Sequence, residues 1–368
     1  MRFESRRPWR SFVAGVLCLA MVVAACGNDD GEEDAGADVP DGGSSVTTAA
    51  DAAPDLDALV EAAQQEGSVT VYSSQGVDQL DALAAAFEEE YDGISVEVVR
   101  ISDGDMIPRV ETELSMDQSG ADLIVLAAQA WVETQAEAGS FVDPTMSPQI
   151  AGEGDYDAAQ YAHEGNYFEV GAAVLTFAWN TDLVPDGVDD YPDLLDPSFA
   201  DGKLAVVDPV AGPAVVDFYL WLSETFGEEY VAGLAAQDPR IYPSALPIGE
   251  AVVSGEVYAA IYAAPVQLVP AAENGAPVDF GISDEGAWGA RYFGGILKSS
   301  DHPNAAALFA DFMVRPLGQE LVQGASGTVL PDIPGTLITN DRIRVMDLEA
   351  TAPEPVAAYI EEWNGLFR

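Results

Sequence analysis

Cysteine, histidine and lysine are nearly missing from these 368 residues: Cys18 and Cys26, His163 and His302, Lys203 and Lys298 are all there are. Two cysteines close to the N-terminus exclude a disulfide framework for the body of the chain. Two histidines, in the loop-like settings Tyr161-Ala162-His163-Glu164-Gly165 and Ser300-Asp301-His302-Pro303-Asn304, are too few for an ordinary zinc or copper site. Basic residues number 14 against 63 acidic ones, a formal net charge of −49. Such a surface repels nucleic acid and anionic membranes and reads as a solvated face adapted to salt or solubility. The catalytic motifs G-x-S-x-G, the phosphate-binding P-loop and H-E-x-x-H are absent as well. Acidic pairs are abundant, but no pattern singles one out for glycoside hydrolysis. None of these motifs points to an enzyme.

Long apolar runs are scarce too. Ser11 to Ala25 is uncharged and largely apolar, follows Arg2, Arg6, Arg7 and Arg10, and ends Val23-Ala24-Ala25-Cys26. It is shorter than the roughly 20 residues of a membrane span and has the parts of an export signal, residues 1–25. Residues 26–54 are rich in Asp, Gly and Ala and poor in large apolar side chains, the composition of a flexible acidic tether.

The stretch that organises the rest is residues 67–100. Val69-Thr70-Val71-Tyr72 is a β-branched and aromatic run, Ser73-Ser74-Gln75-Gly76 a polar turn, and Leu80, Leu83, Ala84 and Phe87 recur at helical spacing. Gly93 ends that helix and Ile94 to Val99 returns as a strand. This is a βαβ unit, and in an open α/β sheet ligands collect beyond the carboxyl ends of the strands. Ser73, Ser74 and Gln75 fall there. Asp103, in the turn after the second strand, and Gln129, after the apolar run Leu123 to Leu126, occupy the same kind of position. Further polar candidates are Tyr167, Gly212 at a helix start, Tyr262, and Arg291, one of very few bases, suited to a carboxylate or phosphate. Asp103 suits an amine.

The order of motifs "EG-x-V-T-V-Y-S-S", "AFEEEY-x-GI-x-V-E-V-V-R", "ADLIVL", Gly171 to Val184, "DLLDP" with Gly202-Lys203-Leu204-Ala205, Gly249 to Tyr262 and Ala305 to Gln319 resembles extracellular solute-binding proteins of bacterial ABC importers. The similarity is greatest to the group that includes ferric-iron binders. It implies an α/β, two-lobed periplasmic-binding-protein-like fold whose crossover strands act as hinge. Lobe one would be residues 55–168 and 279–316, and lobe two residues 169–278 and 317–368. It also implies a small-molecule ligand in the cleft, no cofactor, a membrane permease as partner, and a monomer. Val23-Ala24-Ala25-Cys26 resembles a lipobox, which implies acylation of Cys26 and anchoring to the outer face of the cell membrane. Iron-binding members carry an adjacent tyrosine pair where this chain has Pro265 and Val266, neither able to bind a metal. The expected ligand is thus a small organic anion or amine, with ferric iron as the alternative.

Overall fold

The computed structural model describes residues 55–368 apart from 117, 119, 324 and 325. The signal, the tether and Cys26 lie outside the described residues. Ala53–Arg368 form one compact unit.

In chain order the elements are α1 (Leu56–Glu66), β1 (Ser68–Ser73), α2 (Val77–Glu90), β2 (Ser95–Arg100), α3 (Asp103–Ser115), β3 (Leu123–Leu126), α4 (Gln129–Glu137), α5 (Ala158–Tyr161), β4 (Ala162–His163) and the long β5 (Tyr167–Asn180). Then come β6 (Leu204–Val207), α6 (Pro213–Phe226), α7 (Tyr230–Ala236), β7 (Arg240–Tyr242), α8 (Ala245–Ser254), β8 (Ala259–Ala263), α9 (Pro265–Glu273), β9 (Val278–Gly281) and β10 (Trp288–Ile296). The chain closes with α10 (Pro303–Met313), α11 (Pro316–Gln323), β11 (Gly327–Thr328), β12 (Ile338–Thr339) and α12 (Pro353–Phe367).

The expected βαβ unit is present. Asp55 caps α1, its carboxylate accepting from the Asp57 N–H at 3.1 Å, and Gly67 ends the helix at φ 76°, a left-handed turn suited to glycine. β1 pairs in parallel with both β2 and β3. Leu80, Leu83 and Phe87 turn one face of α2 inward. There Phe87 meets Phe309 and Phe312 edge-on, with ring centroids 5.0 and 5.6 Å apart.

Strands follow the path β2-β1-β3-β10-β5-β8-β6-β7. Two apolar cores cover the two faces of its first part, one around Val71, Leu83, Phe87 and Phe309, the other around Tyr72, Met106, Ile124 and Phe293. A separate core surrounds its second part, with Phe177, Val206, Phe218, Tyr219 and Ile261. Two lobes with distinct cores result, joined through β5 and β10.

The lobe limits differ from the sequence reading in two places. Val322, Val329, Leu330 and Ile333 belong to the core of lobe one, so the segment after 317 does not go wholly to lobe two; α12 does, through Trp363. Residues 279–287 were expected in lobe one, yet β9 pairs with β5 from Phe177 to Asn180, and Trp288 lies in the lobe-two core. The physical reason is pairing: β11 joins β5, remote in sequence, through a two-residue strand that leaves no periodic signal.

Candidate functional site

Strand directions place the cleft. β10 is antiparallel to β3 and to β5, so β5 runs in the sense of β1, β2 and β3. β8 is antiparallel to β5, and β6 and β7 are parallel to β8. The carboxyl ends of β1, β2 and β3 therefore point at those of β6, β7 and β8 across the crossing strands. Leu126, the last residue of β3, is level with Phe293 and Glu169, whereas Ala263, the last of β8, is level with Thr176. Seven residues of β5 separate these levels, about 23 Å at 3.3 Å per residue. Loops and helix starts from both lobes occupy that interval.

Alternation along β10 decides which side chains see it. Tyr292 pairs with Gly171, Arg291 with Ala172 and Ala290 with Ala173; Val170 is the extra residue of a bulge, and Gly171 takes φ 140°, which a side chain would strain. Ala172 and Val174 face an apolar patch formed with Ile338 and Ile343. Arg291 lies on that covered face. Its Nη1 donates to both Glu169 carboxylate oxygens at 3.0 and 3.1 Å, and its Nη2 to the carbonyls of Asn340 (2.8 Å) and Ile343. The expectation that Arg291 reads an anion is thereby corrected: a strand period of two turns it away and Glu169 claims its charge. Its neighbour Tyr292 lies on the opposite face, partly buried against the lobe-one core.

Lobe one supplies the polar edge. Ser73 is fully buried, with its Oγ accepting from the Gln75 N–H at 3.2 Å and donating to Gln75 Oε1, so it shapes the turn and is not presented to a ligand. Ser74 is partly exposed and its N–H is held by the Val125 carbonyl at 3.1 Å. Gln75 is 2% exposed, yet its Nε2 has no partner. Asp103, at the first turn of α3, reaches across the end of β1 so that Oδ2 accepts from the Ala127 N–H at 3.1 Å; Oδ1 is buried without a partner. Buried donors and acceptors left unpaired are uncommon and costly.

Two residues that the sequence reading passed over belong here. Arg100, the exposed last residue of β2, donates from Nε to the Gln75 carbonyl at 3.4 Å and makes no ion pair among the described residues. The Tyr292 hydroxyl has its pKa pushed up to about 12, first by burial and then by the Asp103 charge, with Arg100 pulling the other way. Asp103 and Arg100 are each within electrostatic reach of the Tyr292 hydroxyl. Gln129, at the start of α4, is occupied by its own helix, donating to Glu133 at 2.9 Å. Tyr167 misses the cleft: it packs against Phe293, on the opposite side of β10 from Tyr292, and stacks on His163 with centroids 4.6 Å apart.

Lobe two supplies a largely apolar edge. Val210 precedes α6, and Leu246 and Val266 sit in the first turns of α8 and α9; all three are exposed. Gly212 forms the start of α6 at φ 148°. Tyr262, the penultimate residue of β8, is clamped by Phe218 and Trp288, centroids 4.9 and 5.9 Å away, and burial alone raises its pKa. No side chain caps the N-termini of α2, α3 and α4 in lobe one or α6, α8 and α9 in lobe two. Their free N–H groups add positive potential to both edges. Pro265 and Val266 open α9 and offer no oxygen to a metal. Among the described residues no group of three or more His, Cys, Asp or Glu side chains could hold a metal ion.

Residues 46–325 match the family of bacterial extracellular solute-binding proteins, three quarters of the chain. The chain belongs to that family. It is a solute-binding protein that works outside the cell. No curated protein sequence is significantly similar to it. Solved structures share its fold at low identity. Iron-bound HitA from Pseudomonas aeruginosa matches with TM-score 0.60 and 20% identity over 81% of this chain and 99% of its own. The substrate-binding protein of an ABC transporter from Agrobacterium tumefaciens gives 0.61 and 15% over 82% and 94%. AfuA from Actinobacillus pleuropneumoniae, solved with fructose-6-phosphate, gives 0.56 and 20% over 82% and 98%. All three are two-lobed binding proteins, as this solute-binding protein is.

Proposed function

We propose that the cleft between the two lobes captures a small polar organic solute, an organic anion or an amine, and that hinge closure over it presents the protein to its membrane permease. The observation that carries this reading is the pair of buried, unpartnered atoms Gln75 Nε2 and Asp103 Oδ1 at the carboxyl edge of lobe one. A bound solute satisfies them and, by touching both lobes, favours the closed arrangement through contacts absent from the open one. The solute is held and released unchanged. Cys26 is the acylated anchor and the protein acts as a monomer; loss of lipid labelling in Cys26→Ala tests the first, light scattering the second.

The ligand class is tested by a thermal-shift panel on residues 53–368, stripped of carried solute, with organic acids, phosphate esters, amines, amino acids, sugars and ferric iron. A solute at about 100 times its Kd adds about 2.7 kcal/mol. Stabilisation by an organic anion or amine that disappears in Gln75→Ala supports the reading; a response to ferric iron alone sinks it.

A further inference from the structure

The cleft reading leaves two charged groups at one edge whose partners are missing. Arg109, Arg240, Arg291, Arg315, Arg344 and Arg368 all pair with carboxylates, as expected where acids outnumber bases so heavily. Arg100, like Arg342, Lys203 and Lys298, makes no such pair among the described residues; it stands beside the turn that carries Gln75. Asp103, fixed by one oxygen to the Ala127 N–H, holds its other oxygen buried and unsatisfied. These two residues do not pair with each other. Arg100 ends β2 beside the end of β1, and Asp103 reaches across that same end to the Ala127 N–H. The facing edge of lobe two, with Val210, Leu246 and Val266, offers an apolar surface.

An unpaired guanidinium calls for an oxyanion, which its planar fork holds with two parallel bonds. An unpaired buried carboxylate calls for a cationic donor, since a neutral one compensates its lost hydration less well. One ligand meets both demands only if it carries both charges.

Building on the cleft reading, we propose that this protein selects a zwitterion: Arg100 and Gln75 Nε2 hold an oxyacid group, Asp103 holds an ammonium group of the same molecule, and its carbon skeleton lies against the apolar edge of lobe two. Arg100 and Asp103 are then the specificity-determining residues. Affinity depends on both charges being present and on a spacer that spans the end of β1.

Isothermal titration of residues 53–368 tests this with matched probes: ω-amino acids and ω-aminoalkylphosphonates with two- to four-carbon spacers, each against the alkyl acid and the alkylamine of equal length. The best aminated acid binds at least tenfold tighter than either truncated partner. Arg100→Gln weakens the aminated and plain acids alike by at least tenfold. Asp103→Asn, which retains an oxygen for the Ala127 N–H, weakens only the aminated ones. Melting curves of the free variants within a few degrees of the parent show that both are folded. A plain acid or plain amine binding as tightly as its zwitterion overturns the proposal and leaves the cleft reading standing. So does an equal effect of Asp103→Asn on aminated and plain acids, or failure of every aminated probe at millimolar concentration while another organic solute binds. If no organic solute binds at all, both fail.

Discussion

Replacing Glu169 by alanine removes the carboxylate that ties the crossing strands together. Its side chain is 3% exposed and that of Arg291 11%, and besides Arg291 it accepts from Asn340 Nδ2 at 2.9 Å and contacts His163 Nε2 at 3.2 Å. In Glu169→Ala the guanidinium stays buried with only the Asn340 and Ile343 carbonyls for company. Breaking a buried pair by removing one partner costs about 3–5 kcal/mol. At about 2–4 °C per kcal/mol for a domain of this order of size, the melting temperature falls on the order of 10 °C. Glu169→Gln keeps the volume and part of the hydrogen bonding, so it loses less. The pH dependence has a definite sign. Burial raises the Glu169 pKa, but the His163 hydrogen bond and the Arg291 charge outweigh it and leave it below the ordinary 4.5. A depressed folded pKa means that the ionised group stabilises above that value and that its contribution fades as pH falls through the folded pKa. The gap between parent and Glu169→Gln therefore narrows as pH drops below about 4.5. Circular-dichroism melts of residues 53–368 from neutral to acidic pH measure both effects. Melting of Glu169→Ala within about 2 °C of the parent, under 1 kcal/mol by the same conversion, refutes the reasoning.

Asp217, fully buried, accepts from Arg344 Nε at 3.1 Å, Trp288 Nε1 at 2.8 Å and the Asp347 N–H at 3.2 Å. Asp217→Ala leaves Trp288 Nε1 and the Asp347 N–H without their acceptor while Arg344 keeps Glu224, and costs about 1–3 kcal/mol, with faster hydrogen exchange over residues 342–352 as the local readout. Phe87→Ala empties the centre of the aromatic cluster with Phe309 and Phe312 and costs about 3–5 kcal/mol in denaturant titration. Raising salt from about 0.1 to 1 M screens self-repulsion across a chain of net charge −49, so the melting temperature rises; a fall contradicts the reading of the acidic surface.

Much of lobe one was legible in the sequence, because β1, α2 and β2 each bury a face whose period is visible in a dozen residues. The turn before α6 was legible after an apolar strand, whereas the starts of α8 and α9 were not read as helix starts. What escaped depends on pairing between distant segments. Whether residue 291 or 292 of β10 faces the covered side is set by the register of β10 against β3 and β5, and a one-residue shift exchanges the two faces. Arg100 was passed over as the last residue of an edge strand; a base immediately before a strand-end turn was the signal available. Ser73 showed the ambiguity of its kind, since a serine before a helix serves a turn as readily as a ligand. The packing of Val322, Val329, Leu330 and Ile333 into lobe one joins segments remote in sequence, a contact that no local period announces.

Native mass spectrometry of the protein purified from its own host tests the central claim most directly. The account predicts a bound organic solute of low mass that is lost in Gln75→Ala while the fold persists. A bound ferric ion, or an organic solute retained undiminished in Gln75→Ala, contradicts it.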